Sequence, residues 1–161
     1  MKKSMKLIVE AKWDEIEKAR NKSSSFLRSH GLPSDSVQAF TMVVSELIEN
    51  SMKYGTFTLP QNKVVVDIRV DESIVTAEVI NPIDKTVYKH LRQLDRTIQW
   101  IRGYQDPFEA YVERLKEVSK KPLSDEESGL GLTRIAYEGK AIVDFFLSDE
   151  NLLNVSAVSN S

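Results

Sequence analysis

The chain has 161 residues, with 22 basic and 24 acidic side chains, giving a net charge of −2. That length suits one domain with a real core, and the balance of charge supplies no basic excess of the kind that binding many phosphates of a nucleic acid or an anionic membrane requires. There is no cysteine, which excludes disulfides, thiolate metal sites and a thiol nucleophile, and having only two histidines, His30 and His90, argues against a multi-histidine metal centre.

The basic N-terminus Met1-Lys2-Lys3 leads into Leu7-Ile8-Val9, a short strand. The charges at Glu10 and Lys12 follow too soon for a signal peptide or membrane anchor. No later stretch approaches a membrane span, so a cytoplasmic protein is expected. Trp13, Ile16, Ala19, Phe26 and Leu27 set a helical spacing, with Ser23-Ser24-Ser25 expected to weaken its middle. His30-Gly31 reads as a stop, and Pro33-Ser34 as a new start with Ser34 as cap. From Asp35 to Tyr54 the positions Val37, Phe40, Val44, Leu47, Ile48 and Ser51 define the buried face of a second helix, ended by Gly55.

Two β-rich runs, 64–70 and 74–80, flank Asp71-Glu72-Ser73 and predict a hairpin that Asn81-Pro82 breaks. A polar helical stretch spans about Thr86 to Ser119, interrupted near Gly103 and Asp106-Pro107. Within it Trp100, Tyr104, Phe108 and Tyr111 read as cover for the core or as docking anchors. Then come Ser128-Gly129-Leu130-Gly131-Leu132, a short helix to about Glu138, and a closing hairpin of 141–147 and 152–158 turned at 148–151. This order predicts an α+β fold, a two-layer sandwich with helices on one face of a mixed, mainly antiparallel sheet. It reads as one domain over 1–161, with a helical insert at about 84–127.

Glu46, Asn50 and Lys53 stand at i, i+4 and i+7 and share one side of the second helix beside its apolar stripe. A carboxylate there can orient or deprotonate a hydroxyl, an amide oxygen one turn on can complete a Mg²⁺ shell, and a lysine beyond it can meet a phosphate. The same trio on its own also suits a plain solvated edge. Two glycines around one residue before a helix leave room for backbone N–H groups to approach an anion.

Taken together, Glu46-Leu47-Ile48-Glu49-Asn50-Ser51-Met52-Lys53-Tyr54 and Ser128-Gly129-Leu130-Gly131-Leu132 resemble the asparagine box and second glycine box of the gyrase, Hsp90, histidine-kinase and MutL ATPase superfamily. The subgroup they look most like is the small anti-sigma-factor serine kinases. The resemblance implies the histidine-kinase-like ATPase fold, with ATP and Mg²⁺ as cofactors. It implies Glu46 as general base, Asn50 as Mg²⁺ ligand, Lys53 as phosphate contact, and Gly129, Leu130 and Gly131 as the phosphate-binding loop, with the insert in the place of the ATP lid. It further implies a serine/threonine kinase that acts in partner switching on a protein such as an anti-sigma antagonist or a sigma factor, and a homodimer. The family's first glycine box is altered: Asn81-Pro82 stands where Asp-x-Gly-x-Gly should, making Asn81 the acceptor for the adenine amino group, with Asp84 as substitute if the turn shifts. That departure supports an alternative function, a nucleotide-independent pseudokinase that serves as a protein-binding module.

Overall fold

In the computed structural model, described over residues 2–58, 62–120 and 130–160, five strands form a single sheet. They are β1 (Lys2–Glu10), β2 (Lys63–Asp71), β3 (Ile74–Pro82), β4 (Ala141–Leu147) and β5 (Leu152–Asn160), in the order β1-β2-β3-β5-β4. All four pairings are antiparallel, so the mixed sheet expected above is antiparallel throughout. The helices are α1 (Glu15–Ser29), α2 (Ser34–Tyr54), α3 (Tyr88–Arg102), α4 (Pro107–Lys120) and α5 (Leu130–Tyr137). The result is an α+β sandwich.

Its core lies between the helices and one face of the sheet. Strands β2 and β3 alternate strictly in burial, which follows from the period of two along a strand covered on one face. Val64, Val66 and Ile68 of β2 and Val75, Ala77 and Val79 of β3 point inward and are fully or almost fully buried. They meet Val44, Leu47 and Ile48 of α2, three side chains at most 1% exposed, each worth about 1.5–3 kcal/mol on burial.

Several local expectations are revised. Strand β1 is longer than Leu7–Val9 because Met5, Leu7 and Val9 all face the core, with Ser4, Lys6 and Ile8 outward, so even its lysine-rich half alternates. The serine run does not weaken α1: Ser23 is buried and its hydroxyl donates to the carbonyl of Ala19, 2.7 Å away, one turn back. Pro33, not Ser34, occupies the cap of α2, which has no side-chain cap hydrogen bond. Gly31, at φ 80°, takes the left-handed conformation that ends α1.

Asn81-Pro82 does not break β3. At Pro82 the strand has already parted from β2 and pairs only with β5, so the missing N–H matters on one side alone. The Pro82 carbonyl instead accepts from Thr56 N at 2.8 Å, which fastens the chain just beyond α2 to the end of β3.

The helical stretch after β3 divides as expected, with a 3-10 turn at Lys85–Val87, then α3 and α4. Its aromatics pack on one another and on α5. The Trp100 and Tyr104 rings lie 4.9 Å apart with the Arg114 guanidinium over Trp100, and the Phe108 and Tyr111 rings lie 5.0 and 5.5 Å from that of Tyr137. Phe108 nonetheless stays half exposed. Among the described residues, no helix is long and apolar enough to cross a membrane.

Candidate functional site

Helix α2 packs on the inner face of the sheet and turns its apolar stripe into the core, which leaves Glu46, Asn50 and Lys53 along one flank. The α5 helix approaches that flank. Here the sequence matters at a single atom: a Cβ placed on Gly131 would collide with Glu46 Oε2, so any larger residue at 131 obliges the Glu46 carboxylate to move. Gly131 and Leu130 lie in the first turn of α5, not in a loop before it; Gly129 lies outside the described residues.

One residue of the candidate site escaped the sequence reading. Arg134, one turn beyond Gly131, places Nη1 3.1 Å from Glu46 Oε1, while its Nη2 and Nε lie 3.1 and 3.2 Å from Glu138 Oε2. The spacing Gly131–Arg134–Glu138 on a short helix was the available signal, since residues three and four apart share a face. The Glu46 side chain is only 15% exposed. Burial pushes its pKa above the usual carboxylate value, and the neighbouring Glu49 adds to that rise. The Arg134 and Lys53 charges pull the other way without cancelling it.

At the same end of the sandwich sits Asn81, inward-facing on β3 and 1% exposed. Its Nδ2 donates to the Pro82 carbonyl at 3.2 Å, and its Oδ1 is buried with no hydrogen-bond partner. The Asn50 amide is in a matching condition, with Nδ2 buried and unpartnered. Asp84 does not substitute for Asn81. It is exposed, and its carboxylate accepts from the Thr86 backbone N–H at 2.9 Å and from the Thr86 hydroxyl, capping the 3-10 turn. Those bonds hold its pKa below the usual range, the Thr86 hydroxyl contributing most.

The fold thus brings Glu46 of α2 against Gly131 and Arg134 of α5, keeps Asn50 and Lys53 further along the same flank of α2, and puts Asn81 at the end of β3 that the chain beyond α2 bonds through Thr56. A separate cavity of about 270 Å³ opens near the other end of α2, lined among others by Asp35, Phe40, Glu138 and Lys140, and involves none of the anticipated site residues.

No protein-family model and no curated protein matches the sequence. Among solved structures, a chain in the crystal structure of the SiaB–SiaC complex from Pseudomonas aeruginosa is similar in fold, with a TM-score of 0.73. The match covers 96% of this chain and 88% of that one, at 18% sequence identity. At that identity the likeness is one of architecture, and it extends over nearly the whole chain.

Proposed function

We propose that this protein is a partner-switching regulator, one that holds or releases a protein partner according to the state of an ATP site between α2, β3 and α5. The observation that carries the nucleotide site is the pair of unmatched amide atoms, Asn50 Nδ2 and Asn81 Oδ1, buried on two elements that pack against each other. Each unpaired buried polar atom costs about 1–3 kcal/mol, a cost that a ligand satisfying it would offset.

The residues fit that ligand. Asn81 Oδ1 is an acceptor already oriented by the bond from its own Nδ2 to Pro82, which suits an exocyclic amino group such as that of adenine. Asn50 can turn its amide by half a rotation to offer oxygen, the ligand atom that Mg²⁺ takes. Among the described residues no three His, Asp or Glu side chains converge, so the remaining Mg²⁺ ligands would be phosphate and water. Lys53, a turn further along, is placed to meet phosphate charge. When bound, Mg-ATP supplies the γ-phosphoryl group. Glu46, its pKa raised by burial, has the basicity to accept a proton from a serine or threonine hydroxyl of the partner. It must first leave Arg134.

The partner-binding part is supported by the likeness in fold to a chain of the SiaB–SiaC complex; the expected partner class, an anti-sigma antagonist or a sigma factor, comes from the resemblance of the two sequence boxes. The Glu46–Arg134 ion pair favours a second reading, in which nucleotide is not turned over and the chain acts purely by binding protein. Calorimetric titration with Mg-ATP tests the first reading. Binding that Asn50→Ala weakens by roughly 10- to 100-fold, the loss of one or more charge-assisted contacts, supports it. No binding at millimolar nucleotide leaves the second.

A further inference from the structure

Strand β4 is one of the two edges of the sheet, and among the described residues no strand pairs with its outer side. The other edge, β1, carries Lys2, Lys3 and Lys6, charges of the kind that blunt an edge against strand pairing. Strand β4 reads Ala-Ile-Val-Asp-Phe-Phe-Leu, with Asp144 as its one charge. Its bonding pattern fixes which groups face outward. The Ser148 N–H donates to the Leu152 carbonyl at 2.9 Å, so in the antiparallel ladder Phe146, Asp144 and Ile142 are the residues bonded to β5. Ala141, Val143, Phe145 and Leu147 therefore aim their N–H and C=O groups away from the sheet.

Two of those outward groups are engaged, both by side chains. Arg102, the last residue of α3, donates from Nη2 to the Val143 carbonyl at 2.8 Å, and the Phe145 N–H donates to Asp144 Oδ1 at 2.9 Å. The two side chains approach each other to 3.9 Å. A guanidinium donor and a carboxylate acceptor thus stand where the N–H and C=O of a neighbouring strand would. Both are open to water, Arg102 at 41% and Asp144 at 71% exposure, so an incoming backbone displaces only a weak surface pair. Beside the same edge lies an apolar cavity of about 130 Å³, lined among others by Ile98, Ile101, Pro107, Leu132 and Val143. That is room for one aliphatic or phenyl side chain.

We propose that the outer edge of β4 docks an extended segment of a partner protein as a sixth, antiparallel strand. The partner residue opposite Val143 replaces the Arg102 guanidinium with its own N–H. Because directly opposed residues share a face, the same residue puts an aliphatic side chain into the cavity. On the outer face its neighbours lie against Ile142, Asp144 and Phe146, so the segment is apolar, basic and apolar there. Ile142 and Phe146, 69% and 56% exposed, are the surfaces it covers. A second copy of β4 does not meet these demands, since the residues it would bring to the cavity, Ala141 and Val143, are buried in its own core. Such docking is independent of whether nucleotide binds between α2, β3 and α5.

The peptide Thr-Val-Thr-Lys-Leu-Val-Thr, blocked at both ends, is the matched probe. Its leucine opposes Val143, its lysine Asp144, and its valines Phe146 and Ile142. Titrated by calorimetry it should bind saturably, and serine in place of the leucine should weaken binding about tenfold or more. N-methylation of the leucine, which removes the hydrogen bond to the Val143 carbonyl, should abolish binding. N-methylation of the lysine, whose N–H points away from β4, should not. Arg102→Ala should tighten binding several-fold, because no side chain then has to leave the carbonyl, with circular dichroism confirming the fold. In the complex, amide hydrogen exchange at Val143 and Phe145 should slow while that of β1 is unchanged. No binding by native protein at millimolar peptide overturns the proposal, and so does binding indifferent to which nitrogen is methylated. Val143 and Phe145 amides already protected in a self-associated native protein assign the edge to a second copy and overturn it as well.

Discussion

The Arg134 guanidinium stands 3.1 Å from the Glu46 carboxylate across 88 residues of sequence, and it is the ion pair that joins α5 to the polar flank of α2. Arg134 is 40% exposed and Glu46 15%, so the pair is neither a free surface contact nor a fully desolvated one. A thermal double-mutant cycle with Arg134→Ala and Glu46→Ala should give a coupling of about 1–2 kcal/mol, between the values typical of exposed and of buried pairs. A coupling indistinguishable from zero would mean that the two charges do not hold the helices together.

Gly131→Ala should cost about 1–3 kcal/mol, because the new methyl would overlap a carboxylate that Arg134 restrains on its other side. In a Glu46→Ala background the same substitution should be nearly neutral, since the obstructing atom is gone. An equal loss in both backgrounds would locate the strain elsewhere in α5.

The raised pKa of Glu46 has a definite sign. The folded state holds the proton at a pH where the unfolded chain, with its ordinary value of 4.5, has released it. The group therefore costs nothing well below pH 4.5, and stability falls as pH rises from there through the folded pKa. Denaturant unfolding of wild type and Glu46→Gln across pH 4 to about pH 8 should show wild type losing stability relative to the variant as pH rises. A relative gain would mean that Arg134, not burial, governs the carboxylate. Asp84 acts in the reverse sense: its depressed pKa gives stability above its unfolded value that is lost as pH falls through the folded one.

Asn50→Leu should separate stability from function. It removes a buried donor that the protein leaves unpaired, so stability should hold or rise by up to about 1 kcal/mol, while Mg-ATP affinity drops. A marked destabilisation, read by thermal melting without nucleotide, would show that the Asn50 amide serves the fold and not a ligand.

Much of this architecture was legible in the sequence because its elements are strongly periodic. Val37 to Ser51 on α2 and the alternation through β2 and β3 fixed faces as well as types, and Gly103 with Asp106-Pro107 fixed the break between α3 and α4. Edges were harder. Lys2, Lys3 and Lys6 masked the N-terminal half of β1, and Asn81-Pro82 read as a break because nothing local says that β2 has by then let go of β3. At the site, helical spacing put Glu46, Asn50 and Lys53 on one flank, and the resemblance of their segment to the asparagine box gave them roles. Arg134 was missed, since its partner Glu46 comes near only through tertiary packing of α5 on α2, and Gly131 owes its role to the same approach.

The most direct test of the proposed nucleotide site compares ATP with inosine triphosphate, which carries a carbonyl oxygen where adenine carries its amino group. An acceptor at Asn81 Oδ1 should bind the first and oppose the second. Titrated side by side in the presence of Mg²⁺, ATP should bind roughly 10-fold or more tightly, and Asn81→Ala should erase the difference. Equal affinities in the native protein, or a preference that survives Asn81→Ala, would contradict the assignment of Asn81 as the base-reading residue and with it the account of this site.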